Sequence, residues 1–129
     1  MSVKHPIISV VGSSGAGTST VKHTFDQIFR REGIHAASIE GDAFHRFDRA
    51  EMKTEMTRRL AAGDQTFSHF SEDANLLDEL ATQFANFGKT GCCRSRTYVH
   101  DEQESDKYGV PPGRFTDWRD IGENCDLLF

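Results

Sequence analysis

An α/β fold with a parallel sheet is predicted by three features of this sequence. Ile7-Ile8-Ser9-Val10-Val11 is a near-continuous β-branched run, the pattern of a strand buried on both faces. A glycine-rich turn separates it from a stretch of helical periodicity. Strand-like and helix-like stretches then alternate along the chain, the order in which parallel sheets are built.

Val21, Phe25, Ile28 and Phe29 recur at helical spacing up to Gly33, a residue suited to a left-handed C-terminal turn. Ala36–Ile39 reads as a second short strand. Asp48 and Glu51 have capping-box spacing, and the helix they open carries Met52, Met56 and Leu60 on one face, with Gly63 beyond its end. Ser71 reads as the cap of another helix bearing Leu77, Leu80, Ala81 and Phe84 and closing near Gly88. Thr97–Val99 reads as extended and Val110-Pro111-Pro112-Gly113 as a turn-rich loop. Asp126–Phe129 looks like the start of a third buried strand, so the expected sheet is truncated at the C-terminus.

A chain of 129 residues suits one domain at most, and 36% hydrophobic with 27% charged residues excludes collagen-like, low-complexity and disulfide-scaffold classes. No run approaches the ~18 apolar residues of a membrane span, and Ile7–Val11 is too short for an export-signal core. The net charge of −5 argues against nucleic-acid and anionic-membrane partners. Residues 1–100 hold twelve acids and twelve Lys/Arg, whereas residues 101–129 hold eight acids and three bases, so the charge lies in the last segment. Asp101-Glu102-Gln103-Glu104-Ser105-Asp106 there reads as a solvated loop. Cys92, Cys93 and Cys125 give neither a zinc-ligand spacing nor an even disulfide set, so reduced thiols in a cytoplasm are the expectation.

Gly12-Ser13-Ser14-Gly15-Ala16-Gly17-Thr18-Ser19-Thr20 lies between the first strand and the first helix, the context a phosphate-binding P-loop requires. Small residues let the backbone turn successive N–H groups toward phosphate oxygens, and the following helix adds its positive end. Ser19 falls where the loop hydroxyl would hold Mg²⁺. The glycine spacing does not give the GxGxxG turn of dinucleotide folds, so a P-loop NTPase-type parallel sheet with flanking helices is expected. Thr18 stands where the strict motif has lysine. That removes a charge-assisted contact to the β/γ-phosphates worth roughly 1.5–3 kcal/mol, so a kinase built this way needs a cation from elsewhere. Lys22, one turn on, reads as a charge lying along the helix surface.

The second strand ends in Glu40-Gly41-Asp42-Ala43-Phe44-His45-Arg46, with Arg49 shortly after. Ligands of open parallel sheets bind beyond the carboxyl ends of the strands, which puts Asp42 on the phosphate-loop edge. A carboxylate there either accepts a proton from an attacking hydroxyl or caps a turn; spacing alone leaves both open. His45 and Arg49 share a face if locally helical and can grip an anion, or they are solvated surface charges. Arg96, Tyr98 and His100 alternate, so in an extended segment they face one way, as an anion-binding row or as a solvated edge.

Together these residues resemble the phosphoribulokinase/uridine kinase family, and within it the phosphoribulokinases of bacterial type. The resemblance rests on the loop with Thr18 in the lysine position, on Ser38–Arg46, Gly63–Ser71, Arg96–Asp101 and Phe115–Asp120, and covers essentially the whole chain. It implies an ATP-dependent, Mg²⁺-requiring kinase acting at O1 of ribulose 5-phosphate and yielding ribulose 1,5-bisphosphate for the Calvin cycle. It also implies a cytoplasmic enzyme, a homo-oligomer when intact. Carried over, Gly12–Thr20 binds ATP with Ser19 near Mg²⁺, Asp42 is the catalytic base, and His45 and Arg49 hold the sugar phosphate, with Tyr98 and His100 on the substrate side. Arg31 falls in the region that the resemblance links to activation by NADH. The redox switch of plant-type members is not carried over, because residues 12–20 contain no cysteine. Family members continue past Phe129, where an acidic metal-site residue and later basic residues follow, so residues 1–129 are expected to be the N-terminal part of a single P-loop kinase domain, incomplete and inactive alone. The alternatives are another P-loop small-metabolite kinase, resembling uridine or pantothenate kinase, and a non-catalytic nucleotide-binding fragment. A GTPase is disfavoured by the absence of an N-K-x-D motif.

Overall fold

A computed structural model describes residues 3–13 and 15–129. The chain forms two compact units, one of Met1–Ile39, Gln83–Arg94 and Asp120–Phe129, the other of Glu40–Thr82 and Ser95–Arg119. Four helices, α1 (Thr18–Glu32), α2 (Arg49–Ala61), α3 (Leu77–Thr90) and α4 (Glu102–Tyr108), and four short strands, β1 (Ala36–Ala37), β2 (Cys93–Ser95), β3 (Arg119–Ile121) and β4 (Leu127–Leu128), occur among the described residues.

The first unit is built around a parallel arrangement. β1 pairs with β4, Ala36 opposite Leu127 and Ala37 opposite Leu128, and Ile7 bridges Leu128 in parallel from the other side. The last residues of the chain therefore occupy the middle position. Ile8 N–H donates to the Leu128 carbonyl (2.9 Å), and Ile39 N–H donates to that of Phe129 (2.9 Å). Ala37, Phe87, Cys93 and Leu128 form the core, with Ile7, Ile39, Phe84, Ile121 and Cys125 packed against it. Phe25, Phe29 and Phe129 add an aromatic cluster with centroids 5.1–5.7 Å apart. α1 ends as expected: Gly33 takes φ 68°, and its N–H reaches back to the last-turn carbonyls.

The expected first strand is shorter than its composition suggests. Ladder pairing is confined to its beginning at Ile7, and Val11 is 90% exposed. β-branched composition favours extended backbone, but a ladder needs a neighbour, and among the described residues this segment is bridged at Ile7 to Leu128.

In the second unit, Met52, Phe67 and Ala74 form a core with Phe47 against it. α2 opens with a complete capping box: Asp48 accepts from the Glu51 N–H, and the Glu51 side chain accepts from the Asp48 N–H. Only Met52 of the expected apolar face is buried; Met56 and Leu60 are 41% and 61% exposed. The expected Ser71 cap is also corrected. A 3-10 turn, Glu72–Ala74, intervenes before α3, and the Ser71 hydroxyl accepts instead from the Ser68 N–H. α3 runs past Gly88 to Thr90, and its buried residues, Gln83 and Phe87, belong to the first unit. Leu77 and Ala81, two of the apolar residues it carries, are exposed. The acidic run 101–106 is a helix rather than a loop, because Asp101 accepts from the Glu104 N–H at the N-terminus of α4. Thr97–Val99 is extended as expected, with Tyr98 bridged to Phe115 in antiparallel sense. No helix among the described residues is long and apolar enough to cross a membrane.

Candidate active site

The phosphate loop belongs to the first unit. Ser14 lies outside the described residues. Ala16 N–H donates to the Ser13 carbonyl (3.0 Å), closing a tight turn, and Gly17 at φ 85° delivers the chain into α1 at Thr18. A Cβ on Gly12 would stand 2.8 Å from the Thr18 methyl and 3.2 Å from Ala16, so the loop closes on itself only with glycine at its entrance. Among the described residues no side chain caps α1, and its first turn holds no acid, which leaves its N-terminal N–H groups and positive dipole end for an anion. Gly12, Ser13, Gly15, Ala16, Thr18, Ser19 and Thr20 are all exposed. Lys22 lies along the helix as expected, paired with Asp26 at 3.1 Å.

The second unit holds a polar cluster around Asp42. The 3-10 turn Gly41–Phe44 presents this carboxylate to two imidazoles: His45 Nε2 stands 3.1 Å from Oδ1 and His100 Nε2 stands 2.9 Å from Oδ2. The far nitrogen of each ring also faces an acceptor, Asn75 Oδ1 at 2.9 Å from His45 Nδ1 and Glu104 Oε2 at 3.2 Å from His100 Nδ1. The hydrogen bond from His45 outweighs partial burial and, with that from His100, holds the Asp42 carboxyl at about 2. His45 is raised above its ordinary value chiefly by its bond to Asp42. Burial works against charge on His100, yet its bonds to Asp42 and Glu104 carry it upward as well. The result is an ionised carboxylate between two imidazoles disposed to be charged.

Arg49 and Tyr98 border this cluster. Arg49 is the first residue of α2; its guanidinium donates to the His100 carbonyl (2.9 Å) and its backbone N–H to the Gly113 carbonyl (2.9 Å). Gly113 sits at φ 82°, and a Cβ there would lie 2.8 Å from Arg49 Cβ, so only glycine brings the 110–113 loop this close. Tyr98 packs edge-on against His100 and Phe115, at 4.8 and 5.3 Å. Arg96 differs from the anion-gripping expectation. Its guanidinium lies 3.6 Å over Phe115 and 4.7 Å from Trp118, and it donates to the carbonyls of Ala43 (2.8 Å) and His45 (2.7 Å). It is committed to fixing the segment that carries Asp42 and His45. Sequence reasoning missed Asn75, whose contact with His45 spans 30 positions and has no local signal. Glu104 had one: it lies four residues from His100.

Comparison with known proteins decides the family. Residues 7–129 match the model of the Phosphoribulokinase / Uridine kinase family. The chain belongs to that family. Within the phosphoribulokinase/uridine kinase family, it is 69% and 66% identical over 129 residues to Phosphoribulokinase 1 and Phosphoribulokinase 2 of Cereibacter sphaeroides. Each match covers 100% of this chain and 44% of the relative. The solved phosphoribulokinase from Rhodobacter spheroides matches with a TM-score of 0.85 and 64% identity, over 98% of this chain and 42% of that one. The chain thus spans less than half the length of these relatives. The fold is that of a P-loop kinase, α/β with parallel strand pairing and flanking helices.

Proposed function

We propose that this chain supplies the nucleotide- and sugar-phosphate-binding part of a kinase that transfers the γ-phosphoryl group of ATP to O1 of ribulose 5-phosphate, giving the bisphosphate used in Calvin-cycle carbon fixation. The observation that carries this reading is the Asp42 carboxylate held between His45 and His100. Two rings disposed to be charged suit a dianionic sugar phosphate, and the carboxylate between them suits the hydroxyl that must lose a proton.

In this reading the backbone N–H groups of Gly12–Thr20, Ser13 and Ser14 included, and the N-terminus of α1 hold the ATP phosphates. His45 and Arg49 grip the sugar phosphate, with Tyr98 and His100 flanking it. As the substrate oxygen forms its bond to the γ-phosphorus and the bond to ADP breaks, its proton passes to Asp42. A carboxyl at about 2 is a weak base, which suits a loose transition state in which positioning matters more than early proton removal. A phosphate that draws His45 away from Asp42 would also make the carboxylate more basic. Ser19 fits Mg²⁺: its exposed hydroxyl lies in the first turn of α1, a hard oxygen donor for an ion that otherwise keeps water and phosphate oxygens. The described residues contain no cluster of three or more His, Cys, Asp or Glu able to hold a metal. Bound there, Mg²⁺ would neutralise phosphate charge.

The same reading places the protein in the cytoplasm as a homo-oligomer and puts an NADH response near Arg31, which is exposed in the last turn of α1 and paired with Glu32. The test is calorimetric titration of the chain with ATP, ribulose 5-phosphate and uridine, alongside an ADP-release assay. ATP and ribulose 5-phosphate are expected to bind, with His45→Ala weakening the sugar phosphate about tenfold and ATP little, and the 129-residue chain is expected not to turn over. Uridine binding as tight as ribulose 5-phosphate would sink the assignment in favour of a uridine-kinase-like enzyme.

A further inference from the structure

We propose that Asn75 is a positioning residue that presents His45 to its anionic partners as a doubly protonated ring. This deepens the reading of His45 as the sugar-phosphate contact and rests on it. The backbones of the two residues are tied first. His45 and Asn75 form an antiparallel bridge, flanked by Arg46 N–H donating to the Ala74 carbonyl (2.9 Å) and Leu76 N–H donating to the Phe44 carbonyl (2.7 Å).

The side chains then leave one arrangement. The Asn75 amide nitrogen donates to the carbonyls of His69 (2.9 Å) and Ser71 (2.8 Å). Both amide hydrogens are thereby used, and a flipped amide would set its oxygen against two carbonyl oxygens. Asn75 Oδ1 therefore faces His45 Nδ1, which must carry a proton to bond it. On the opposite side, His45 Nε2 faces a carboxylate that stays ionised above about 2. A neutral imidazole has one N–H and satisfies only one of these acceptors, turning a lone pair on the other. The imidazolium alone satisfies both. The other groups facing His45 do not alter this. The Arg96 guanidinium binds its carbonyl and opposes the ring's charge, the His69 ring is tilted at 5.9 Å, and His100 acts through the shared carboxylate.

Asn75 thus does for His45 what the acid Glu104 does for His100, without adding a negative charge beside the phosphate site. The test is a pH titration of the ¹⁵N-labelled chain, reading the ring nitrogens of His45 by long-range correlation in three proteins. In the wild type both nitrogens are expected to be protonated at pH 6. Asn75→Ala removes the acceptor and should lower the His45 midpoint by about one pH unit, a charge-assisted bond being of that size. Asn75→Asp restores an acceptor and should bring the midpoint to the wild-type value or above, while the lost donors to His69 and Ser71 lower thermal stability. A merely structural Asn75 predicts lowered stability in both variants with the His45 midpoint unmoved, and that result overturns the proposal. Should Asn75→Ala not fold, Asn75→Asp decides: a midpoint below the wild-type value overturns the proposal. Titration with ribulose 5-phosphate in the same samples separates the two readings. A wild-type chain that does not bind it refutes the sugar-phosphate assignment, while the ring titration still decides Asn75.

Discussion

Asp42 connects protonation to stability because the groups around it titrate in opposite directions. Its carboxyl is depressed from 3.8 to about 2, so its contribution is complete above about pH 4 and is lost as pH falls through about 2. His45 and His100 are raised above 6.5, so theirs is complete below that value and is lost as pH rises through their folded-state values. The cluster therefore stabilises the second unit most between about pH 4 and 6.5. Urea midpoints of the wild type and Asp42→Asn, compared from about pH 3 to 9, should differ most inside that window and converge above it. A constant difference would show that the charges do not cooperate. Arg96 is a second residue whose role is fixed by its neighbours. Lysine offers a point charge and no plane to stack, so Arg96→Lys gives up the fork to the Ala43 and His45 carbonyls and the contact with Phe115. It should cost about 1–3 kcal/mol in urea unfolding, and a loss under about 0.5 kcal/mol would mean that the carbonyls find other partners.

At the scale of elements, α2 ties local sequence to the site because its first residue is Arg49. Asp48→Ala removes the Asp48 side-chain acceptor of the capping box and should cost about 0.5–2 kcal/mol, while Asp48→Asn, which keeps an acceptor, should cost much less. Equal losses in the two variants, read by thermal melts, would show that the charge and not the cap matters. This cap was legible in the sequence because it is local: the partners are three residues apart. The same holds for Gly33 at the end of α1 and for the loop that delivers Thr18 to its start. Burial was less legible. Met56 and Leu60 have the spacing of a core face yet lie exposed, because spacing gives a shared face but not what packs on it. In α3, likewise, apolar character alone does not say which residues are buried. Gln83 is buried while Leu77 is exposed, since the Gln83 side-chain oxygen Oε1 accepts the Arg94 N–H. The site divides the same way. Asp42, His45 and His100 were readable as chemistry-bearing residues, whereas Asn75 and the structural use of Arg96 depend on contacts across 30 and 53 positions that no periodicity encodes.

For the molecule as a whole, the first unit depends on its last strand. Leu128 is 1% exposed, bridges Ile7 on one side and pairs with Ala37 on the other, and closes the core with Phe87 and Cys93. The second unit has its own apolar centre at Met52, Phe67 and Ala74 and its own backbone pairing between residues 44–46 and 74–76. Removing the Leu128 side chain deletes contacts to both neighbouring strands at once, and Leu128→Ala should cost about 2–5 kcal/mol, as buried leucine truncations do. Hydrogen exchange shows where that loss falls. The amides of Ile8 and Ile39, bonded to the carbonyls of Leu128 and Phe129, should lose protection by the full amount of the destabilisation. The amides of Arg46 and Leu76, bonded to Ala74 and Phe44, should keep wild-type protection if each unit is held by its own core. Equal loss at all four amides would show instead that the two units open in a single step, with the phosphate loop and the Asp42 cluster sharing one stability.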